Sequence, residues 1–169
     1  MRGLGRLSRP VLIAAVSAAV LGLAGCGSSV AAPTQPTTLP TNQEVTGLFD
    51  RWNQSLATGN PELVADRYAA DAVLLPTVSN EVRSDRAEIV DYFDHFLENK
   101  PQGQILESHI KVLGPTDAID AGTYRFTLTT DGQQRTVDAR YTFVYERVDD
   151  EWLIVNHHSS AMPEPAGQS

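Results

Sequence analysis

The sequence predicts an α+β fold, a nearly cone-shaped domain in which a curved antiparallel sheet wraps around about three N-terminal helices. Three observations predict it. Apolar residues recur at helical spacing up to about residue 100 and at a spacing of two beyond it. Asp131-Gly132 and Asp149-Asp150 fall between the later runs, where hairpin turns belong, and the gaps are too short for crossover helices. Between a Pro/Thr-rich stretch and a Pro-rich tail lie roughly 120 residues, the size of one domain.

The elements follow in order. Val45, Leu48, Phe49, Trp52 and Leu56 make the stripe of a helix over 44–57, capped by Thr41 or Asn42. Thr58-Gly59-Asn60-Pro61 stops it and starts a second helix over 61–69 that buries Leu63, Val64 and Tyr68. Residues 71–76 read as a short strand, and Thr77 to Val82 as a turn or hairpin. Ser84 resembles the cap of a third helix over 85–100, with Ile89, Tyr92, Phe93, Phe96 and Leu97 on one side. Strands are expected over 104–114, 117–129, 135–148 and 151–162. The open end of such a cone is a natural pocket.

The first 25 residues read as a targeting signal. Arg2, Arg6 and Arg9 precede the apolar run 11–25, which falls short of the ~20 residues of a membrane span. Leu23-Ala24-Gly25-Cys26 resembles the lipobox of bacterial lipoproteins. That resemblance implies a lipid on Cys26, membrane attachment through it, and a place in the cell envelope on the extracytoplasmic side. Residues 26–43 then form a Pro/Thr-rich tether, 44–163 the domain, and 164–169 a disordered tail. Cys26 is the single cysteine, so its modification would leave no thiol for a disulfide, a nucleophile or a metal. Thirteen basic residues against 21 acidic ones give a net charge of −8, and removing the three arginines deepens it to −11. This acidity argues against nucleic-acid binding and against charge-driven attachment to an anionic membrane.

The last strand, 152-WLIVNHHSSAMP-163, passes without a break from apolar residues to two imidazoles and two hydroxyls. Strand alternation places His157 and Ser159 on one face and His158 and Ser160 on the other, so one pair faces the interior. A bulge near Asn156 would exchange the two. Adjacent histidines in a strand point opposite ways and cannot grip one ion together. Tyr92 and the other aromatics are most simply core, and His95 a helix surface residue.

The ordering of helices and strands looks like the nuclear transport factor 2-like superfamily, whose members include enzymes, binding modules and assembly hubs. Trp152 to Pro163 resembles the end of the association (hub) domain of calcium/calmodulin-dependent protein kinase II. Arg125 falls where that domain carries a pocket arginine, while Phe143 and Ser159 stand near the positions of two others. The hub resemblance favours His157 and Ser159 as the inward pair.

A sharper likeness is to the iota class of carbonic anhydrases, carried by 75-LPTVSNEVR-83, 90-VDYFDHFL-97, 101-PQG-103 and 156-NHHSSAMP-163. It implies reversible hydration of CO2 to bicarbonate in a pocket of hydroxyls. No metal is required, though zinc or manganese serves some members. Carried over, Thr77, Tyr92 and Ser159, with Ser160 as the alternate, hold bicarbonate or the attacking water. A histidine takes the water's proton, and Arg125 stabilises the developing charge. The alternative is a non-catalytic hub that binds a small acid. Both imply a homodimer or higher homo-oligomer. An isomerase or cyclase ranks third, because it needs an acidic base in the pocket, and Asp66, Asp91, Asp94 and Asp138 are the candidates.

Overall fold

The computed structural model describes residues 38–77 and 79–163. The expected signal peptide, Cys26, most of the tether and the C-terminal tail lie outside the described residues. Helix α1 (Asn42–Ala57) begins with a capping box. The Thr41 hydroxyl accepts from the Glu44 amide, and the Glu44 carboxylate accepts from the Thr41 amide. The domain thus starts a few residues earlier than expected. Its buried stripe is the predicted one, with Val45, Leu48, Phe49, Trp52 and Leu56 all nearly inaccessible. Asn53 on the flank clamps Gly103 through two hydrogen bonds of 2.8 and 2.9 Å, fixing α1 against the sheet.

Helix α2 (Pro61–Ala65) is shorter than the predicted 61–69. Strand β1 (Tyr68–Leu75) starts earlier because Tyr68 pairs with Ile154 in a parallel ladder, and the Ile154 amide donates to Arg67 O at 2.8 Å. This long-range pairing overrides the local helical spacing. After β1 the chain folds back in an antiparallel bridge between Leu74 and Arg83. Helix α3 (Arg86–Leu97) is capped by Asp85 rather than Ser84. The Ser84 amide donates instead to the Glu88 carboxylate at 2.7 Å.

Strands β2 (Gln102–Val112), β3 (Asp117–Thr130), β4 (Gln133–Val148) and β5 (Glu151–Ala161) form the antiparallel meander, giving the sheet order β1-β5-β4-β3-β2. Both predicted tight turns are present. Asp131 and Gly132, and Asp149 and Asp150, all have positive φ, as two-residue hairpins that match strand twist require.

Two bulges shape the antiparallel meander, and the parallel β1–β5 pairing also shifts register between Tyr68 and Val73. On β2, Ile105 faces Tyr124 and Glu107 faces Thr123, leaving Leu106 as the extra residue. On β5, Ile154 faces Tyr145 and Asn156 faces Val144, leaving Val155 extra. The second bulge moves the core-facing side of β5 from even to odd positions. Ile154 is buried before it, and His157 is buried after it.

Candidate functional site

A cavity of about 130 Å³ opens between α3 and the concave face of the sheet. Its walls are apolar, from Leu74, Phe93, Phe96, Phe126, Leu128 and Val137. Its polar lining is short: Thr77, Tyr92, Asn99, Tyr124, Arg135, His157 and Ser159 around the backbone. Asn99 fixes one side of the opening. Its carbonyl accepts from the Thr129 amide at 2.6 Å and its side-chain oxygen from the Thr130 hydroxyl at 3.0 Å, tying the end of α3 to β3.

Three hydroxyls meet at Ser159. The Tyr124 hydroxyl donates to Ser159 Oγ at 2.5 Å, and Thr77 Oγ1 shares a short hydrogen bond with the same atom. Burial pushes the Tyr124 phenol well above its ordinary value, so it stays a neutral donor. Thr77 arrives from the end of β1, Tyr124 from β3 and Ser159 from β5. Side chains from two strands and the turn that follows a third therefore converge on one oxygen.

Beside them His157 is 3 % exposed and packed between rings. It stacks on Phe143 with centroids 4.0 Å apart and meets the edge of Trp52 at 5.3 Å. Its Nδ1 lies 2.9 Å from the Tyr68 hydroxyl, which accepts from Trp52 Nε1 at 3.0 Å. Indole N–H only donates. The Trp52–Tyr68–His157 run is satisfied when Tyr68 passes its own proton to His157 Nδ1, and the opposite tautomer strands the Tyr68 O–H without an acceptor. The proton of the neutral imidazole therefore sits on Nε2, a buried atom with no protein partner. Burial lowers the imidazole to about 3, with a smaller push from His158.

His157 is thus a fixed N–H donor and not the proton acceptor expected of an imidazole with an ordinary pKa. This has a measurable consequence. A histidine that titrates near 6.5 when unfolded and near 3 when folded stabilises the fold fully above pH 6.5. That stability is lost as the pH falls from 6.5 towards 3. The loss reaches about 2 kcal/mol by pH 5. Urea unfolding of wild type and His157→Gln between pH 7.5 and 4.5 is expected to show a difference in stability that shrinks across this window.

The other expected residues separate. Tyr92 lines the cavity, with its hydroxyl pushed up to about 12 by burial, but it makes no hydrogen bond to the trio at Ser159. His158 and Ser160 lie on the opposite face of β5, paired with Thr142 and Arg140, and do not line this cavity. Arg125 corrects an expectation too. It is exposed on the outer face of β3 and forms a two-pronged ion pair with Asp138, at 2.7 and 2.8 Å. Its neighbours Tyr124 and Phe126 take the inward positions, so strand alternation turns Arg125 out. Arg135 is the arginine at the cavity, and it has no ion-pair partner among the described residues.

No acidic side chain lines the cavity among the described residues. Asp66 pairs with Arg86, Asp91 with Arg83, and Asp138 with Arg125. Asp120 is the buried carboxylate, accepting from Ser108 at 2.6 Å and Tyr141 at 3.1 Å away from the cavity. Nor do three His, Cys, Asp or Glu side chains group as a metal site among the described residues. Among the described residues the cavity offers one imidazole and no carboxylate or thiolate, so the lining does not fit a zinc or manganese ion.

Sequence reasoning missed three parts: Tyr124 as the donor to Ser159, Tyr68 as the partner of His157, and Arg135 at the opening. The one available signal was a tyrosine inside the otherwise apolar inward row 124, 126, 128 of β3.

The profile described as calcium/calmodulin dependent protein kinase II association domain matches residues 41–163. A Xanthomonas campestris structure assigned to that association domain is 56 % identical, covering 78 % of this chain and 97 % of its own, with a TM-score of 0.73. A Novosphingobium aromaticivorans protein, nuclear transport factor 2-like with a cystatin-like fold, is 15 % identical over 73 % of this chain and 83 % of its own, at a TM-score of 0.61. A nuclear transport factor 2-like superfamily protein of Salmonella enterica is 18 % identical over 75 % and 95 %, at 0.63. These two share the fold. Comparison with curated proteins finds no match.

Proposed function

We propose that this chain, which belongs to the calcium/calmodulin dependent protein kinase II association domain family and has the nuclear transport factor 2-like fold, interconverts CO2 and bicarbonate in its hydroxyl-lined cavity. The observation that carries the reading is the convergence of Thr77 and Tyr124 on Ser159 Oγ inside an apolar cavity of about 130 Å³. The space suits a small molecule, and apolar walls admit an uncharged one. The hydroxyls supply oriented donors and acceptors for a water.

The reaction forms one C–O bond between water and CO2, and the water loses one proton. Ser159 and Thr77 hold the water, and its proton enters the hydroxyl chain as the bond forms and leaves for solvent in the step that follows. Negative charge grows on the CO2 oxygens. His157 lines the cavity, and its Nε2–H, fixed as a donor by Tyr68 and Trp52, is assigned to that charge. Arg135 offers a cation to bicarbonate at the opening. Tyr92 forms part of the wall. No step passes through a metal ion.

Stopped-flow CO2 hydration by the full chain, with and without a chelator, tests this. Activity above a heat-inactivated control is expected in both conditions. Absence of activity in either sinks the reading. Arg125→Ala is expected to leave kcat/KM within about twofold, because Arg125 pairs with Asp138 on the outer face, whereas Arg135→Ala is expected to lower it severalfold. A reversed order would place the pocket cation on β3 after all.

One observation favours a second reading, a non-catalytic module for a small carboxylic acid. Arg135 and His157 both line the cavity and both carry N–H donors, whereas a carboxylate only accepts. Millimolar-range binding of acetate or a longer carboxylate, seen by NMR in a chain without hydration activity, would support it.

A further inference from the structure

We infer that His95 is the proton-exit group of the cavity, collecting the proton released in CO2 hydration and handing it to solvent. The inference rests on the hydration reading and adds a residue to it. Each turnover leaves one proton to remove. His157 does not take it, because its Nδ1 is occupied by Tyr68 and its Nε2 already carries hydrogen. The Tyr92 and Tyr124 phenols are pushed up by burial and stay protonated. No carboxylate lines the cavity among the described residues. The proton therefore needs a titratable group beyond the hydroxyl trio.

A second space of about 290 Å³ adjoins the first. The two share Tyr92, Phe96 and Asn99 as lining residues, so the C-terminal half of α3 and the turn after it wall both. The remaining lining is Ser79, Arg83 and His95. At about 30 Å³ per water, the volume holds several molecules, and Ser79, His95 and Asn99 give them polar partners. His95 lies one helical turn after Tyr92 on the same face of α3, and Asn99 follows in the turn just beyond the helix end. It is exposed, open to the space on one side and to bulk solvent on the other. Imidazole is the side chain that exchanges protons near neutral pH.

The charged groups around this space are already engaged with one another. Arg83 binds Asp91 at 2.9 Å and Glu81 at 3.3 Å. Asp91 precedes His95 by one turn of the same helix and is held by that guanidinium, so it is not a free base. A relayed proton moves from the attacking water through the Ser159 and Thr77 hydroxyls to waters in the second space. From there it passes to His95 and then to a buffer base. No other bond changes.

The test is His95→Ala in the full chain, assayed for CO2 hydration in dilute buffer of a bulky, non-penetrating type. The expected result is a fall in kcat of about tenfold with kcat/KM unchanged, since kcat/KM reports the CO2 step before proton exit. Added imidazole or 1-methylimidazole is expected to restore kcat. An unchanged kcat overturns the inference. So does a parallel fall in kcat and kcat/KM without rescue, which would mark a structural role. Wild-type chain without hydration activity overturns both this inference and the reading it rests on.

Discussion

Ser159→Ala is expected to lower kcat/KM for CO2 hydration by about 100-fold, the loss typical of removing a positioned donor from a reacting centre. Ser159 Oγ is the one atom on which both Tyr124 and Thr77 converge. Removing it takes away the water's anchor and leaves two hydroxyls without their partner in a mostly apolar space. The second effect costs about 1–3 kcal/mol of stability, so melting temperature should be followed alongside the rate. Thr77→Val and Tyr124→Phe each remove one arm and are expected to cost less. Ser160→Ala sits one residue further on the same strand but on its other face, and is expected to leave the rate within about twofold. Stopped-flow traces of the four variants decide the matter. Damage from Ser160→Ala with none from Ser159→Ala would mean that the wrong face of β5 has been assigned to the chemistry.

Gly122→Ala is expected to produce the largest loss of stability among simple substitutions, about 3 kcal/mol or more by urea unfolding, at or beyond the upper end for overpacking. A Cβ at Gly122 would stand 1.9 Å from the carbonyl oxygen of Glu107 and 2.7 Å from its carbon. Both are backbone atoms, so no side chain can swing aside. The close approach is made by the bulge at Leu106, which drives the β2 backbone against β3. To relieve the clash, β2 must move away. That would disturb the hydrogen bonds from Tyr141 to Glu107 O and to Asp120, and from Ser108 to Asp120, uncovering a buried carboxylate. A loss below about 1 kcal/mol would show that the bulged pair is soft. Gly132→Ala makes a useful contrast: nothing lies within 4 Å of its Cβ, so its cost comes from positive φ alone.

Much of the fold was legible because it depends on local patterns. The stripe of α1 and the period-two strands record which face of each element meets the core, and those faces are the buried ones. Asp131-Gly132 marked its turn because positive φ is cheap for those residues. Tyr68 was read as helical because its spacing from Val64 fits a helix, while its actual place is set by Ile154, more than eighty residues away. The candidate site was half legible. Thr77, Tyr92, His157 and Ser159 all line the cavity, and their residue types had signalled it. Arg125 faces out because alternation gives the inward row of β3 to Tyr124, Phe126 and Leu128, whereas nothing within β4 marks Arg135 as a residue that lines the cavity.

By itself, then, the sequence determined the α+β class, the order of the elements and the chemical character of the terminal strand, since each follows from periodicity and residue type over a few neighbours. The tertiary structure alone decided the parity of β5, the protonated nitrogen of His157 and the partner of Ser159. The physical reason is common to all three. A bulge is fixed by pairing with β4, a tautomer by Trp52 and Tyr68 across the core, and a hydroxyl trio by two strands and the turn after a third brought together at one atom.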